Sequence, residues 1–151
     1  MKNNIINGIC DWVYEEEFAF VKAFEWSKNS ENIAFLRFNE SEVPTYSMDI
    51  TGSNLYPTQQ VFKYPKAGEK NSVVSLHLYN VDSKNSSKIT LGDYEYIPRI
   101  KWTNDASILS VQTLNRHQNN LNLYFVELLF NVIKIIPRNQ LVKCNTIQSS
   151  L

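Results

Sequence analysis

The apolar residues of this chain fall into short runs separated by polar punctuation. Ala23-Phe24-Glu25-Trp26-Ser27 reads as a short strand, Lys28-Asn29-Ser30-Glu31-Asn32 as a turn, and Ile33-Ala34-Phe35-Leu36-Arg37-Phe38 as a second strand apolar enough to be buried on both faces. The same grammar returns in Pro98-Arg99-Ile100-Lys101-Trp102, the turn Thr103-Asn104-Asp105-Ala106-Ser107, and the strand Ile108-Leu109-Ser110-Val111-Gln112. The two units form a weak internal repeat. Their tryptophans, Trp26 and Trp102, stand 76 positions apart, beyond the roughly 40–45 residues of a compact propeller repeat. An insertion inside one blade has to absorb the excess.

Between the two units, Ser72 to Val81 alternates cleanly. Val74, Leu76 and Leu78 share one face of a strand, and Ser75, His77 and Tyr79 share the other. Asp82 to Ser87 reads as a turn and Lys88-Ile89-Thr90-Leu91 as a short strand, so four strands between Phe24 and Leu91 would make one antiparallel blade. Leu121 to Val126 would continue the next blade. The nearly continuous apolar run from Glu127 to Ile136 fits a strand or a helix equally well, because a short unbroken run carries no period.

Composition sharpens this picture in two ways. Aromatic residues make up 13% of the chain, and with the β-branched residues they favour a pleated, half-buried surface. Lys and Arg number 15 against 15 Asp and Glu, which leaves no basic excess for a nucleic-acid footprint. No segment approaches the roughly 18 apolar residues of a membrane helix, and the first residues show no apolar core of signal-peptide length. Cys10 and Cys144 suggest neither a disulfide framework nor a metal site.

Candidate chemistry is sparse. The four glycines, Gly8, Gly52, Gly68 and Gly92, form no nucleophile elbow and no phosphate loop. His77 lies in an alternating strand and His117 in a polar loop or strand end, and both read as structural or surface histidines. The distinctive feature is Asp11-Trp12-Val13-Tyr14-Glu15-Glu16-Glu17-Phe18, three adjacent carboxylates held between aromatic residues. Asp11 is placed to cap a short helical turn. The triplet reads either as a solvated face or as a cation site, since adjacent carboxylates repel unless a cation lies between them.

Asn7-Gly8-Ile9-Cys10-Asp11-Trp12-Val13-Tyr14-Glu15-Glu16-Glu17 resembles the double-glutamate motif region of the dipeptidyl peptidase IV enzymes, within the prolyl oligopeptidase family. Three more segments follow in that family's order: Trp26-Ser27 to Phe38 with Glu42-Val43-Pro44, then Tyr64 to Asn71, then Leu114 to Asn119. The resemblance implies an all-β fold, a partial β-propeller of about two four-stranded antiparallel blades with a short helical turn carrying the glutamates. It places a partial propeller domain at residues 1–126 and an atypical tail at 127–151.

The resemblance also implies a function. Enzymes of this kind are serine-type peptidases that release X-Pro or X-Ala dipeptides from peptide N-termini. Their propeller contributes two glutamates that hold the substrate's free ammonium; by motif these are Glu16 and Glu17, with Glu15 structural or secondary. The catalytic triad belongs to a hydrolase domain whose motifs do not occur among these residues, so no catalytic residue, metal or cofactor is expected here and the chain alone is expected to be inactive. The expected partners are peptide N-termini, the hydrolase domain of the full-length enzyme and, since family members commonly dimerise, a second copy. The family acts in the periplasm, outside the cell or at its surface, although this chain shows no export signal. The competing reading is a non-catalytic β-repeat module for protein interaction.

Overall fold

The computed structural model describes residues 4–129 and 132–138. In chain order the described elements are β1 (Ile5–Asn7), α1 (Trp12–Phe18), β2 (Phe24–Trp26), β3 (Asn32–Asn39), β4 (Thr45–Ile50), β5 (Thr58–Lys63), β6 (Val73–Asn80), β7 (Asn85–Ile89), β8 (Tyr96–Trp102), β9 (Ile108–Leu114), β10 (Leu121–Leu129) and β11 (Val132–Arg138). They form a sheet of order β1-β3-β6-β7 with β2 also paired to β3, a sheet of order β11-β10-β9-β8, and the separate pair β4-β5. The chain divides into two compact units, one made of residues up to Ala23 with Leu36–Val74, the other of Phe24–Phe35 with Ser75 onward.

In the first unit β1 runs antiparallel to the end of β3, with Ile6 opposite Phe38. Tyr14, Leu36 and Phe38 are its most deeply buried large side chains. Strands β4 and β5 pair from Thr45 opposite Lys63 to Ile50 opposite Thr58. All of β4 is exposed, and among the described residues no third strand joins this hairpin. This hairpin is the insertion that the spacing of Trp26 and Trp102 requires. It is also a pair of strands that the polar-apolar reading passed over, although Tyr46, Met48 and Ile50 alternate with Thr45, Ser47 and Asp49.

In the second unit β2 pairs with the start of β3, with Phe24 opposite Phe35. Strands β8 to β11 form an antiparallel meander with Trp102 opposite Leu109, Glu127 opposite Ile108 and Val126 opposite Ile135. The register slips between Tyr96 and Arg99. Pro98 sits inside that slip, where its missing N–H costs the ladder nothing. Leu76, Ile89, Ile97, Leu109, Val111 and Val126 are its most deeply buried large apolar residues. Trp102 is buried and its Nε1–H donates to the Glu25 carbonyl at 3.0 Å. This bond gives the indole a polar partner inside an apolar surround.

The all-β partial-propeller architecture expected from the sequence is present, with three refinements. The first sheet has β1 as a fifth strand. The turn expected over Asp82–Ser87 is shorter, because Lys84 (φ 55) completes the reversal and β7 begins at Asn85. Asn85, Ser86 and Ser87 are polar because that stretch of strand is exposed. Finally, the ambiguous run from Glu127 is strand, with β10 continuing through Leu129 and β11 pairing back along it. The remainder of the expected tail, residues 139–151, lies outside the described residues. Among the described residues no helix is long and apolar enough to cross a membrane.

Candidate functional site

The acidic triplet sits on a closed loop. Gly8 adopts φ 72, a conformation an L side chain would strain. Its N–H donates to the Leu36 carbonyl at 2.9 Å, and its carbonyl accepts from the Ala23 N–H at 3.0 Å. Cys10 N–H donates to the Val21 carbonyl at 3.0 Å, and the Cys10 thiol donates to the Phe20 carbonyl at 2.8 Å. Both ends of the segment that carries α1 are therefore tied together at its base.

Asp11 starts the helix as the sequence led one to expect. Its Oδ1 accepts from the Tyr14 N–H at 3.1 Å, satisfying a donor that the first turn leaves open. Its Oδ2 accepts from the Ser72 hydroxyl. Asp11 is buried, and burial raises its pKa against the opposing pull of the Ser72 and Tyr14 bonds. Burial, followed by the charges of Asp11 and Glu15, pushes the Cys10 thiol up to about 11, so it is a neutral packing group at neutral pH. The helix ends at Ala19, which takes the left-handed conformation (φ 53) usual for a C-terminal glycine.

Aromatic packing holds the helix from below. Tyr14 is 1% exposed and meets Phe18 at 5.0 Å, Phe20 at 5.6 Å and Phe38 at 4.8 Å, each ring edge to face. Trp12 packs on Tyr64 with centroids 4.3 Å apart. Glu15, Glu16 and Glu17 are all exposed. Glu15 lines a cavity of about 630 Å³ whose walls include Asp11, Trp12, Glu40, Phe62 and Lys63, whereas Glu16 and Glu17 are not part of that lining. The helix thus separates the triplet, with Glu15 four residues from Asp11 on a shared face.

The other candidates are structural. His77 stacks on Phe35 at 5.3 Å with an interplanar angle of 23°. Its Nε2 lies 3.1 Å from the Ser75 hydroxyl, its same-face neighbour on β6. His117 is exposed in the β9–β10 turn. Cys144 lies outside the described residues. Among the described residues no group of three or more His, Cys, Asp or Glu side chains is placed to hold a metal ion. Sequence reasoning missed two participants. Ser72 serves Asp11 from 61 residues away, and Glu40 reaches the cavity wall from a strand end; neither residue type nor local spacing marks them.

A family model described as the dipeptidyl peptidase IV N-terminal region matches residues 2–146. A Schizosaccharomyces pombe protein classed among the dipeptidyl aminopeptidases is 37% identical over 128 residues, covering 76% of this chain and 16% of that protein. A Tuber melanosporum protein named as a probable dipeptidyl-aminopeptidase B is 35% identical over 141 residues, covering 82% of this chain and 15% of that protein. Among solved structures, the dipeptidyl peptidase 4 of Porphyromonas gingivalis superposes with a TM-score of 0.80 at 48% identity, covering 89% of this chain and 19% of that one. The chain therefore spans less than a fifth of the length of each of these relatives.

Proposed function

The chain belongs to the dipeptidyl peptidase IV N-terminal region family, and from that premise we propose that Glu16 and Glu17 anchor the free α-ammonium of a peptide substrate. The observation that carries this reading is the mounting of the two carboxylates. They project from a seven-residue helix whose loop is hydrogen-bonded shut at its base and whose underside is clamped by Tyr14. A preorganised pair loses little freedom when a ligand arrives.

The residue types suit the task. A peptide α-ammonium has an unperturbed pKa of about 8 and is mostly cationic at neutral pH. Each charge-assisted hydrogen bond to a carboxylate contributes about 1.5–3 kcal/mol. Anchoring the amine sets a length, so that the bond two residues away is presented to the serine nucleophile of the full-length enzyme's hydrolase domain. In this reading the glutamates select and orient, and the rate gain comes through positioning. The substrates are peptides with Pro or Ala second. The partners are the peptide N-terminus and the hydrolase domain.

The interaction-module reading is favoured by one observation, the hairpin β4–β5 with its neighbouring turn. Leu55 and Tyr56 are 89% and 76% exposed there, and Val61 is 60% exposed. Large apolar side chains left exposed in this way suit protein contact, and dimer formation is the contact the family implies.

The ammonium anchor is tested by titrating the chain with Gly-Pro-Ala and with its N-acetylated form, followed by amide chemical shifts. The free-amine peptide should shift α1 amides, and Glu16→Gln with Glu17→Gln should weaken it by roughly 10- to 100-fold. Equal binding of the acetylated peptide overturns the assignment.

A further inference from the structure

The cavity beside α1 presents an unbalanced set of charges. Asp11, Glu15 and Glu40 line it, against one cation, Lys63. Glu40 is 6% exposed. Among the described residues no hydrogen bond or ion pair reaches its carboxylate; Lys63, whose charge acts on Glu40, donates instead to the Val43 carbonyl at 2.8 Å. The carboxylate oxygens keep some accessible surface where the cavity opens, and the polar group of a side chain buried this far is ordinarily bonded or paired. Asp11 differs, because both of its oxygens are already engaged, by Tyr14 and by Ser72.

The rest of the wall is mainly apolar and aromatic, with Asn4, Thr45 and Gln60 as its uncharged polar members. Trp12, Met48 and Phe62 line it together with Ile6. The volume, about 630 Å³, falls in the range of small-molecule sites, which pair an apolar lining with a few convergent polar groups. The ligand chemistry follows from this combination. A bare metal ion lacks the three ligating side chains it would need, and an anion would face three carboxylates. A positive charge on an apolar body meets Glu40 and the aromatic faces together, with cation–π attraction added.

We propose that this cavity binds a small ammonium compound with an apolar body, Glu40 accepting the ammonium and Trp12 with Phe62 receiving the apolar part. The site uses side chains other than Glu16 and Glu17 and stands whether or not they anchor a peptide. The groups facing Glu40 agree with it. Burial and then the Asp11 charge raise the Glu40 pKa while Lys63 lowers it. Cys10 is neutral at neutral pH, leaving Glu15 the other acid on the wall. A bound cation supplies the missing counter-charge.

The test is a calorimetric and NMR titration of the purified chain with phenethylammonium chloride, beside neutral 2-phenylethanol. The ammonium compound should bind saturably, shift amides around Glu40 and Phe62–Lys63, and bind at least about tenfold more tightly than the alcohol. Glu40→Gln should remove that preference together with the shifts around Glu40 and Phe62–Lys63. Equal affinity of the two probes, shifts confined to other residues, or a preference that survives Glu40→Gln each overturn the proposal. Should Glu40→Gln fail to fold, the two-probe comparison and the shift map on the unmodified chain decide it.

Discussion

The unit that carries α1 buries Asp11, Glu40 and Ser72 among its apolar side chains, while the unit containing β8–β11 buries mainly Leu, Ile, Val and Trp, with Ser27 and Thr113 as its polar exceptions. The contrast follows from what each unit has to hold. The meander needs only a packed sheet, and alternation supplies that. The first unit has to fix a short helix, and seven residues form too few hydrogen bonds to stand alone in water. Asp11, Ser72 and the Tyr14 cluster provide the fixing, at a desolvation cost that appears in the raised pKa of Asp11. Thr113 shows the other outcome: its hydroxyl is fully buried and has no hydrogen-bond partner among the described residues.

The largest expected effects come from the two cores. Phe38→Ala removes the ring that meets Tyr14 at 4.8 Å, and Leu109→Ala empties a site that is 1% exposed. Each should cost about 3–5 kcal/mol in denaturant unfolding. Residue-resolved amide exchange sharpens the comparison. Phe38→Ala should lower protection first between Gly8 and Ala23, and Leu109→Ala first along β8–β10. Equal loss everywhere from either change would show that the units unfold as one.

A smaller effect belongs to the polar foundation of the first unit. Asp11→Ala should cost about 1–2 kcal/mol, because it removes the cap and leaves the Tyr14 N–H and Ser72 without their acceptor. The pH dependence has a definite sign. Asp11 and Glu40 both have folded pKa values above the ordinary 3.8 and 4.5, so folding takes up protons at these sites. The stability they contribute is complete below those ordinary values and is lost as pH rises through the folded ones. Denaturation midpoints followed from pH 4 to 7 should therefore drop less in Glu40→Gln than in the unmodified chain. An identical slope would mean that Glu40 titrates normally.

The smallest effect tests the opposite case. Thr113→Val replaces the unpartnered hydroxyl with a methyl of similar shape, and should be neutral or stabilising by up to about 1 kcal/mol. A loss of stability would show that Thr113 has a hydrogen-bond partner after all, and would narrow the difference between the units.

Much of the fold was legible in the sequence. Strands β2, β3, β6, β8 and β9 follow from alternation and polar turns, because burial of one sheet face imposes a period of two on the residues themselves. Asp11 was legible as a cap, since its role depends on a donor three residues ahead. The family was legible from four segments in order, and the roles of Glu16 and Glu17 are proposed from it. The hairpin β4–β5 carried a readable alternation but no buried face.

Tertiary structure alone decided the rest. The pairing of Ser72 with Asp11 joins residues 61 positions apart, and a hydroxyl's partner is chosen by where the chain returns. The division of the triplet, with Glu15 turned to a cavity and Glu16 and Glu17 outside its lining, depends on which helix face packs downward. Glu40 reads in the sequence as one more surface acid. Its burial beside Asp11 and Lys63 arises from the return of β5 alongside β4, and burial rather than residue type gives a carboxylate its chemistry.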